Sequence, residues 1–264
     1  MTHQATNIGD AAITVLSTAA CKDKADLSRA LAQSWFGGNL THDFPNLPPD
    51  RPSRPIKPEL LRPKYMPKRR NLGAMLHAIA HIEFNAIDLA WDIVARFGKE
   101  MPLEFTHDWV LVADDESRHF NMINDRLASY DLTYGDHPAH DGLWQSAMDT
   151  SHDLKARLAI VPMVLEARGL DVTPSIITKF GTAGDQLSSN AMKVIYEEEI
   201  QHVFAGQKWF NFLCTQESLP PKETYHSLIN KYFKGQIKPP FNMEARTKAG
   251  LDKDFYMKIM ANEQ

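Results

Sequence analysis

The sequence predicts an all-α protein: a bundle of four long helices, with further helices before and after it. Three observations carry that prediction. Four long stretches repeat their apolar residues at the three-to-four-residue spacing of a buried helix face. No stretch alternates apolar and polar residues convincingly, as a half-buried strand does. Gly98, Pro102 and Pro220-Pro221 fall at the ends of those stretches, where helices stop or start.

The elements follow in chain order. A first helix is predicted from Ile8 to Phe36, with Ile13, Leu16, Leu27 and Leu31 among alanines, and Gly37-Gly38 stops it. From Pro45 to Pro67 the many prolines forbid a regular helix and predict an extended strap over the surface. The strap ends in a basic patch, Lys64, Lys68, Arg69 and Arg70, which reads as a solvated segment or else as a contact for an anionic ligand or RNA. The four long helices are predicted over Leu72–Phe97, Leu103–Tyr130, Gly142–Leu170 and Asp185–Cys214. Pro162 should bend the third by freeing the Leu158 carbonyl. A short helix is predicted between Pro174 and Phe180. Residues 221–264 read as two or three short helices broken at Pro239-Pro240. The resulting organisation is N-terminal helices over 1–40, the strap over 41–70, the bundle over 71–215 and a helical extension over 216–264. Trp91, Trp109, Trp144 and Trp209 read as core anchors.

Composition narrows the function. With 264 residues, 43% hydrophobic, the chain can bury one large core. A net charge of −4 and a pI near 6.3 argue against a general nucleic-acid or membrane-surface binder. The two cysteines, Cys21 and Cys214, form no CxxC and read as free thiols in a reducing compartment. No segment approaches the roughly 18 uninterrupted apolar residues of a spanning helix, and residues 1–10 lack a secretory pattern. These features predict a cytoplasmic protein with no membrane partner.

The chemistry lies in two E-x-x-H motifs. Glu116 and His119 occupy the second long helix, and Glu199 and His202 the fourth. Residues three apart share a helix face, so each pair can hold one metal ion. A carboxylate-bridged pair of metals needs one more glutamate from each of two other helices. Glu83 in the first and Glu166 in the third stand on otherwise apolar faces, where a carboxylate is costly unless paired, protonated or metal-bound. The spacing is an independent check: Glu83 and Glu116 are 33 positions apart, and so are Glu166 and Glu199. An offset of 83 positions also aligns Asp88 with Asp171, Arg96 with Lys179, Phe97-Gly98 with Phe180-Gly181 and His119 with His202. The chain thus reads as two helix-pair repeats. Glu83 lies roughly 21 Å from the end of its helix and Glu116 roughly 20 Å into the next, so a tight turn would set them level. Six ligands, Glu83, Glu116, His119, Glu166, Glu199 and His202, suit two iron ions, with manganese or a mixed iron/manganese pair as the alternative, rather than a thiolate-rich zinc site.

Neighbouring residues have candidate roles. Asp115 and Glu198 directly precede the motif glutamates and could fix a ligand imidazole's tautomer, with Asp114 and Arg118 in the same network. Tyr196 shares a face with Glu199 and His202 and could donate a hydrogen bond or act in redox chemistry, core packing being the alternative. His77 and His81 have metal-ligand spacing, but His81 points about 200° away from Glu83, so the pair reads as a polar face shared with Asp88 and Asp92. His107, His137, His140, His152 and His226 read as surface groups.

These residues resemble the ferritin-like superfamily and, more closely, the DUF455 family of ferritin-like proteins. The resemblance is carried by His77–Glu83 (HAIAHIE), Asp114–His119 (DDESRH), Val161–Pro174 (VPMVLEARGLDVTP) and Tyr196–His202 (YEEEIQH), and covers most of the chain from Leu72 to Cys214. It implies a ferritin-like four-helix bundle with a di-metal site. The bundle is also similar to the tRNA-modifying di-iron hydroxylases, which makes oxygen-dependent hydroxylation the expected activity, by analogy of fold and site. That reading implies a small-molecule or RNA substrate, an external electron donor, since no flavin or iron–sulfur motif is present, and a monomer or small homo-oligomer. An iron-storage or ferroxidase protein, a di-manganese catalase-like enzyme and a helical scaffold with coincidental motifs are the competing expectations.

Overall fold

A computed structural model describes residues 5–62, 65, 66 and 71–261. The protein is all-α, as the periodicity predicts. Among the described residues the one sheet is a parallel pair of two-residue strands, β1 (Leu60–Leu61) and β2 (Ala139–His140), too short to leave an alternating pattern. Among the described residues no helix is long and apolar enough to cross a membrane. The basic patch at Lys64, Lys68, Arg69 and Arg70 lies outside the described residues. The chain forms two compact units, Met1–Trp144 and Gln145–Gln264. Each contains one copy of the Glu…Glu-x-x-His repeat.

The first unit is organised by α3 (Leu72–Phe97) and α4 (Leu103–Leu127), which pack along each other. Asn71 starts α3 by accepting the Ala74 N–H, satisfying one of the donors that a helix start leaves open. A 3₁₀ turn, Gly98–Glu100, and Pro102 reverse the chain into α4, the tight connection that the spacing anticipates. A second 3₁₀ turn takes the chain from Leu127 to Tyr130. The single helix predicted from Ile8 to Phe36 is in fact two, α1 (Ile8–Ser17) against α3 and α2 (Cys21–Phe36) against α4. Thr18 and Ala20 are extended, and the Leu16 carbonyl accepts the N–H of Ser53 in the strap at 2.7 Å. A tertiary donor thus replaces the next helical one, which periodicity alone cannot reveal.

The boundary between the units falls in α5 (Gly142–Asp149). The second unit contains α6 (Leu154–Ile160), a π-helical turn (Val161–Glu166), α7 (Ala167–Thr182), α8 (Gln186–Gln216), α9 (Pro221–Tyr232), α10 (Met243–Lys248) and α11 (Lys253–Ala261). The third long helix, predicted unbroken from Gly142 to Leu170, is interrupted after Asp149. There the buried Arg157 donates to the Ala147 carbonyl (2.6 Å) and the Thr150 hydroxyl (3.1 Å), and Asp153 caps α6 by accepting the Ala156 N–H. Conversely, the chain stays helical past Leu170 to Thr182, absorbing the separate helix predicted over 174–180. Pro174 cannot serve the Leu170 carbonyl four residues back. The Asn242 side-chain amide donates to it instead, at 3.3 Å, so the helix continues. Gly184, at φ +83°, makes the turn into α8, which packs along α7 and the π turn.

Candidate metal centre

In the first unit, α3 and α4 pack along each other, and the reversing turn sets Glu83 level with Glu116 and His119. The Nδ1 of His119 lies 3.4 Å from Glu83 Oε2 and 3.5 Å from Glu116 Oε2. All three residues are buried, with relative exposures of 4%, 0% and 0% for Glu83, Glu116 and His119. The geometry fits a metal ion. Carboxylate oxygens and imidazole nitrogens bind divalent metals at about 2.0–2.2 Å, so ligand atoms on one ion lie up to roughly 4.4 Å apart. The donor set is carboxylates and imidazole without thiolate, hard and borderline donors that suit a divalent metal ion.

In the second unit, Glu199 and His202 lie on α8 with His202 Nδ1 3.6 Å from Glu199 Oε2. The same ring nitrogen therefore faces the carboxylate in both repeats. Each of Glu83, Glu116, His119 and Glu199 offers an atom that could hold a metal ion. Glu166 closes the π-helical turn. That turn follows from the sequence locally: Pro162 has no N–H to give, and the Ala167 N–H reaches back five residues to the Pro162 carbonyl. The buried Tyr225 hydroxyl donates to the Met163 carbonyl inside the turn (3.3 Å). Burial raises the Tyr225 pKa and keeps the phenol a donor.

Pro162 rests directly on Gly206 of α8, where an added Cβ would lie 2.5 Å from the proline Cβ and Cγ. Alanine is otherwise the better helix former by about 1 kcal/mol. The collision decides the sign here. Gly206→Ala is expected to cost about 1–3 kcal/mol and to shift the turn that carries Glu166. Urea unfolding and metal content per chain would together check this; an unchanged midpoint with unchanged metal content would refute it.

The residues flanking the motifs lie in ion pairs or half-buried beside them. Asp115 accepts from Arg118 (2.7 Å) and Asp114 from Arg29 (3.3 Å), while Glu198 is half-buried on α8. The Tyr196 hydroxyl accepts from the Asn242 amide at 2.8 Å. The four tryptophans read as core anchors are buried.

The polar face of α3 is not an open one. His77, His81, Asp88 and Asp92 are all buried, which corrects any solvated reading of that face. Tyr134 stacks on both histidines, the His77 Nε2 accepts the Gly135 N–H (2.8 Å), and His81 lies 2.9 Å from both the Tyr134 hydroxyl and the His140 carbonyl. His137 and His140, expected at the surface, are half-buried beside this pair because the loop after α4 folds onto α3. His226 is likewise half-buried against the carbonyls of Asp254 and Phe255.

Sequence reasoning also left the buried aspartates without a role. Asp88 is paired with Lys24 (2.5 Å) and Arg54 (3.0 Å). Asp171 takes a two-point contact from Arg246 (2.8 and 2.7 Å) and the Asn242 N–H (2.9 Å). The available signal was their position, five residues after the first glutamate of each repeat, Glu83 and Glu166.

The family model described as "Protein of unknown function (DUF455)" matches residues 17–257. A protein of Haemophilus influenzae, described as an uncharacterized protein, is 41% identical over 225 residues, covering 79% of this chain and 77% of the relative. No solved structure matches the chain significantly.

Proposed function

The chain belongs to the DUF455 family, and from that membership and its two Glu…Glu-x-x-His sets we propose a non-haem di-iron oxidoreductase that activates dioxygen. The observation that carries the reading is the repeat itself: the same ligand types at the same 33-residue spacing, with the histidine Nδ1 turned to a carboxylate oxygen in both copies. The reading takes the two helix pairs as halves of a ferritin-like bundle.

The residues suit that task. Glu83, Glu116, Glu166 and Glu199 together carry four negative charges, which balance two divalent cations while the imidazoles stay neutral. Coordination through Nδ1 leaves each imidazole Nε2–H to a neighbouring acceptor, which fixes the tautomer and the ring orientation. The burial of Glu83, Glu116 and His119 keeps bulk water from those donors and strengthens their electrostatic hold. Two ferrous ions held by these side chains would supply electrons for the reduction of dioxygen. An external donor would restore those electrons, and the substrate is a small molecule or an RNA nucleotide.

The test is metal analysis of protein expressed in iron-replete medium, beside Glu116→Ala and Glu199→Ala. About two irons per chain are expected, with a loss in both variants, and the reduced protein should consume dioxygen. Two manganese ions with peroxide turnover would replace this reading with a catalase-like one. Iron uptake without oxygen-dependent substrate conversion would leave a metal-handling protein. Folded, chelator-free protein with no stoichiometric metal would sink the centre altogether.

A further inference from the structure

A cleft of about 290 Å³ opens in the second unit beside the π-helical turn. One wall is Met163, Val164 and Leu165, the three residues immediately before Glu166. Tyr225, Ile237 and Phe241 also line the cleft. The volume is at the lower end of the range for small-molecule sites, and the lining is that of a site for an apolar body.

The charged groups of the cleft are unevenly matched. Arg168, Arg246 and Lys238 contribute three cations against one carboxylate, Asp171. Arg246 and Asp171 satisfy each other through two short hydrogen bonds. That leaves the cationic charge of Arg168 and Lys238 in a chain whose net charge is −4. The hydrogen bonds of Arg168 all leave from Nη1, to the carbonyls of Lys238 (3.0 Å) and Pro240 (2.9 Å) and more weakly to Asp171 (3.4 Å). Among the described residues its Nε and Nη2 donate to no partner. A guanidinium so fastened on one side is aimed and still has donors in hand, the geometry that suits a carboxylate.

We infer that this cleft binds a small organic anion with an apolar body, a carboxylate of medium chain length, which Arg168 and Lys238 recognise by charge and the π-turn wall by its hydrocarbon. That the bound anion is the substrate rests on the di-iron reading; that it binds does not. Its hydrocarbon would lie against the segment that ends in Glu166, one residue from the Leu165 wall.

Isothermal titration of the full chain with octanoate, 1-octanol and octylammonium tests the inference. Octanoate is expected to bind with one site per chain and at least tenfold more tightly than octylammonium. Arg168→Gln should remove most of that preference. Because Arg168 also fastens the 238–240 segment, the exposed Lys238→Gln provides a second reading and should weaken octanoate about threefold while leaving octanol unchanged. Val164→Trp, which fills the cleft, should abolish binding of all three. Equal affinity for octanoate and octylammonium, or octanoate binding unchanged in Val164→Trp, would overturn the proposal. The titration repeated on Glu116→Ala separates the two claims: octanoate binding retained in a metal-free chain supports the cleft whatever becomes of the centre.

Discussion

Replacing Asp88 with alanine is expected to cost about 3–5 kcal/mol of stability, the usual loss when one partner of a buried ion pair is removed. The Lys24 ammonium lies 2.5 Å from the Asp88 carboxylate with neither side chain exposed, and Arg54 approaches the second oxygen at 3.0 Å. Without the carboxylate, Lys24 keeps one hydrogen bond, to the Ser53 carbonyl, and a buried charge with no counter-ion. Burial already holds the Lys24 pKa below its ordinary value even with Asp88 present. Removing Asp88 lowers it further, so Lys24 can shed its proton. The cost of Asp88→Ala should therefore shrink between pH 7 and pH 10. Urea midpoints at the two pH values measure it. A cost under about 1 kcal/mol at pH 7, far below that of a broken buried pair, would mean the pair is not buried as described. Asp171→Ala, which strands the buried Arg246, should behave alike at pH 7 without recovering at pH 10, because a guanidinium does not deprotonate. The double variant Lys24→Met/Asp88→Leu should regain the Lys24 part of the loss, since an apolar pair avoids desolvating two ions, while Arg54 still lacks its carboxylate.

The same pairs show what the sequence could and could not reveal. The helices α3 and α4 were legible, α3 to the residue and α4 to within three, because they are apolar along whole faces and Gly98 and Pro102 mark the turn between them. Glu83, Glu116 and His119 were legible as a group because helix geometry and one tight turn dictate their common level, and their distances bear this out. What was not legible came from long-range partners. The break after α1 depends on Ser53, and the continuity of α7 through Pro174 depends on Asn242. The π turn was only half announced: Pro162 signalled irregularity, but a wider helical register rather than a simple bend needed the Gly206 surface and the Tyr225 hydroxyl to hold it. Asp88 shows the limit most clearly. It lies five residues after Glu83, about 140° around the helix at 100° per residue, so it faces away from the ligand side. Its burial is set by cations contributed from α2 and the strap, 64 and 34 positions away.

The two repeats thus share more than the Glu…Glu-x-x-His pattern. Each places its first glutamate and, five residues on, a buried aspartate held by a cation from outside the helix pair. On the proposed reading the two acids divide the labour by position: the glutamate would offer charge to a metal, while the aspartate fixes the helix that carries it. Asp88→Ala and Glu116→Ala should therefore separate experimentally. The first should lower stability strongly in metal-free protein. The second should lower metal content and, by removing a buried carboxylate, leave the metal-free chain no less stable.

Stability should also fall steeply as the pH drops from 6.5 towards 4, and His77 should account for about one proton of that slope. Its imidazole is buried on α3, and its Nε2 accepts the Gly135 N–H, so it is held neutral with the proton on Nδ1. No acceptor among the described residues meets that Nδ1. Burial first, and then the neighbouring His137, push the pKa down from 6.5 to about 4, against a weaker pull from Asp136. The sign follows from the depressed value. At pH 7 the imidazole is neutral in both states and contributes nothing. Below 6.5 the unfolded chain binds a proton that the folded protein refuses until about pH 4, so acid favours unfolding throughout that window. The full effect is about 3 kcal/mol. His81, lowered to about 3, and His42, also lowered by burial, add to the slope in the same direction. The lowered carboxylates Asp136, Asp149 and Glu244 act below their ordinary values of 3.8 and 4.5, beneath the interval from pH 4.5 to 6.5 in which His77 acts. His77→Gln keeps an acceptor for Gly135 and removes the titration. Urea midpoints across that interval should lose about one proton of slope in the variant. An unchanged slope would mean that His77 is charged in the folded protein, and the Gly135 hydrogen bond that seats the 134–140 loop on α3 could not then exist.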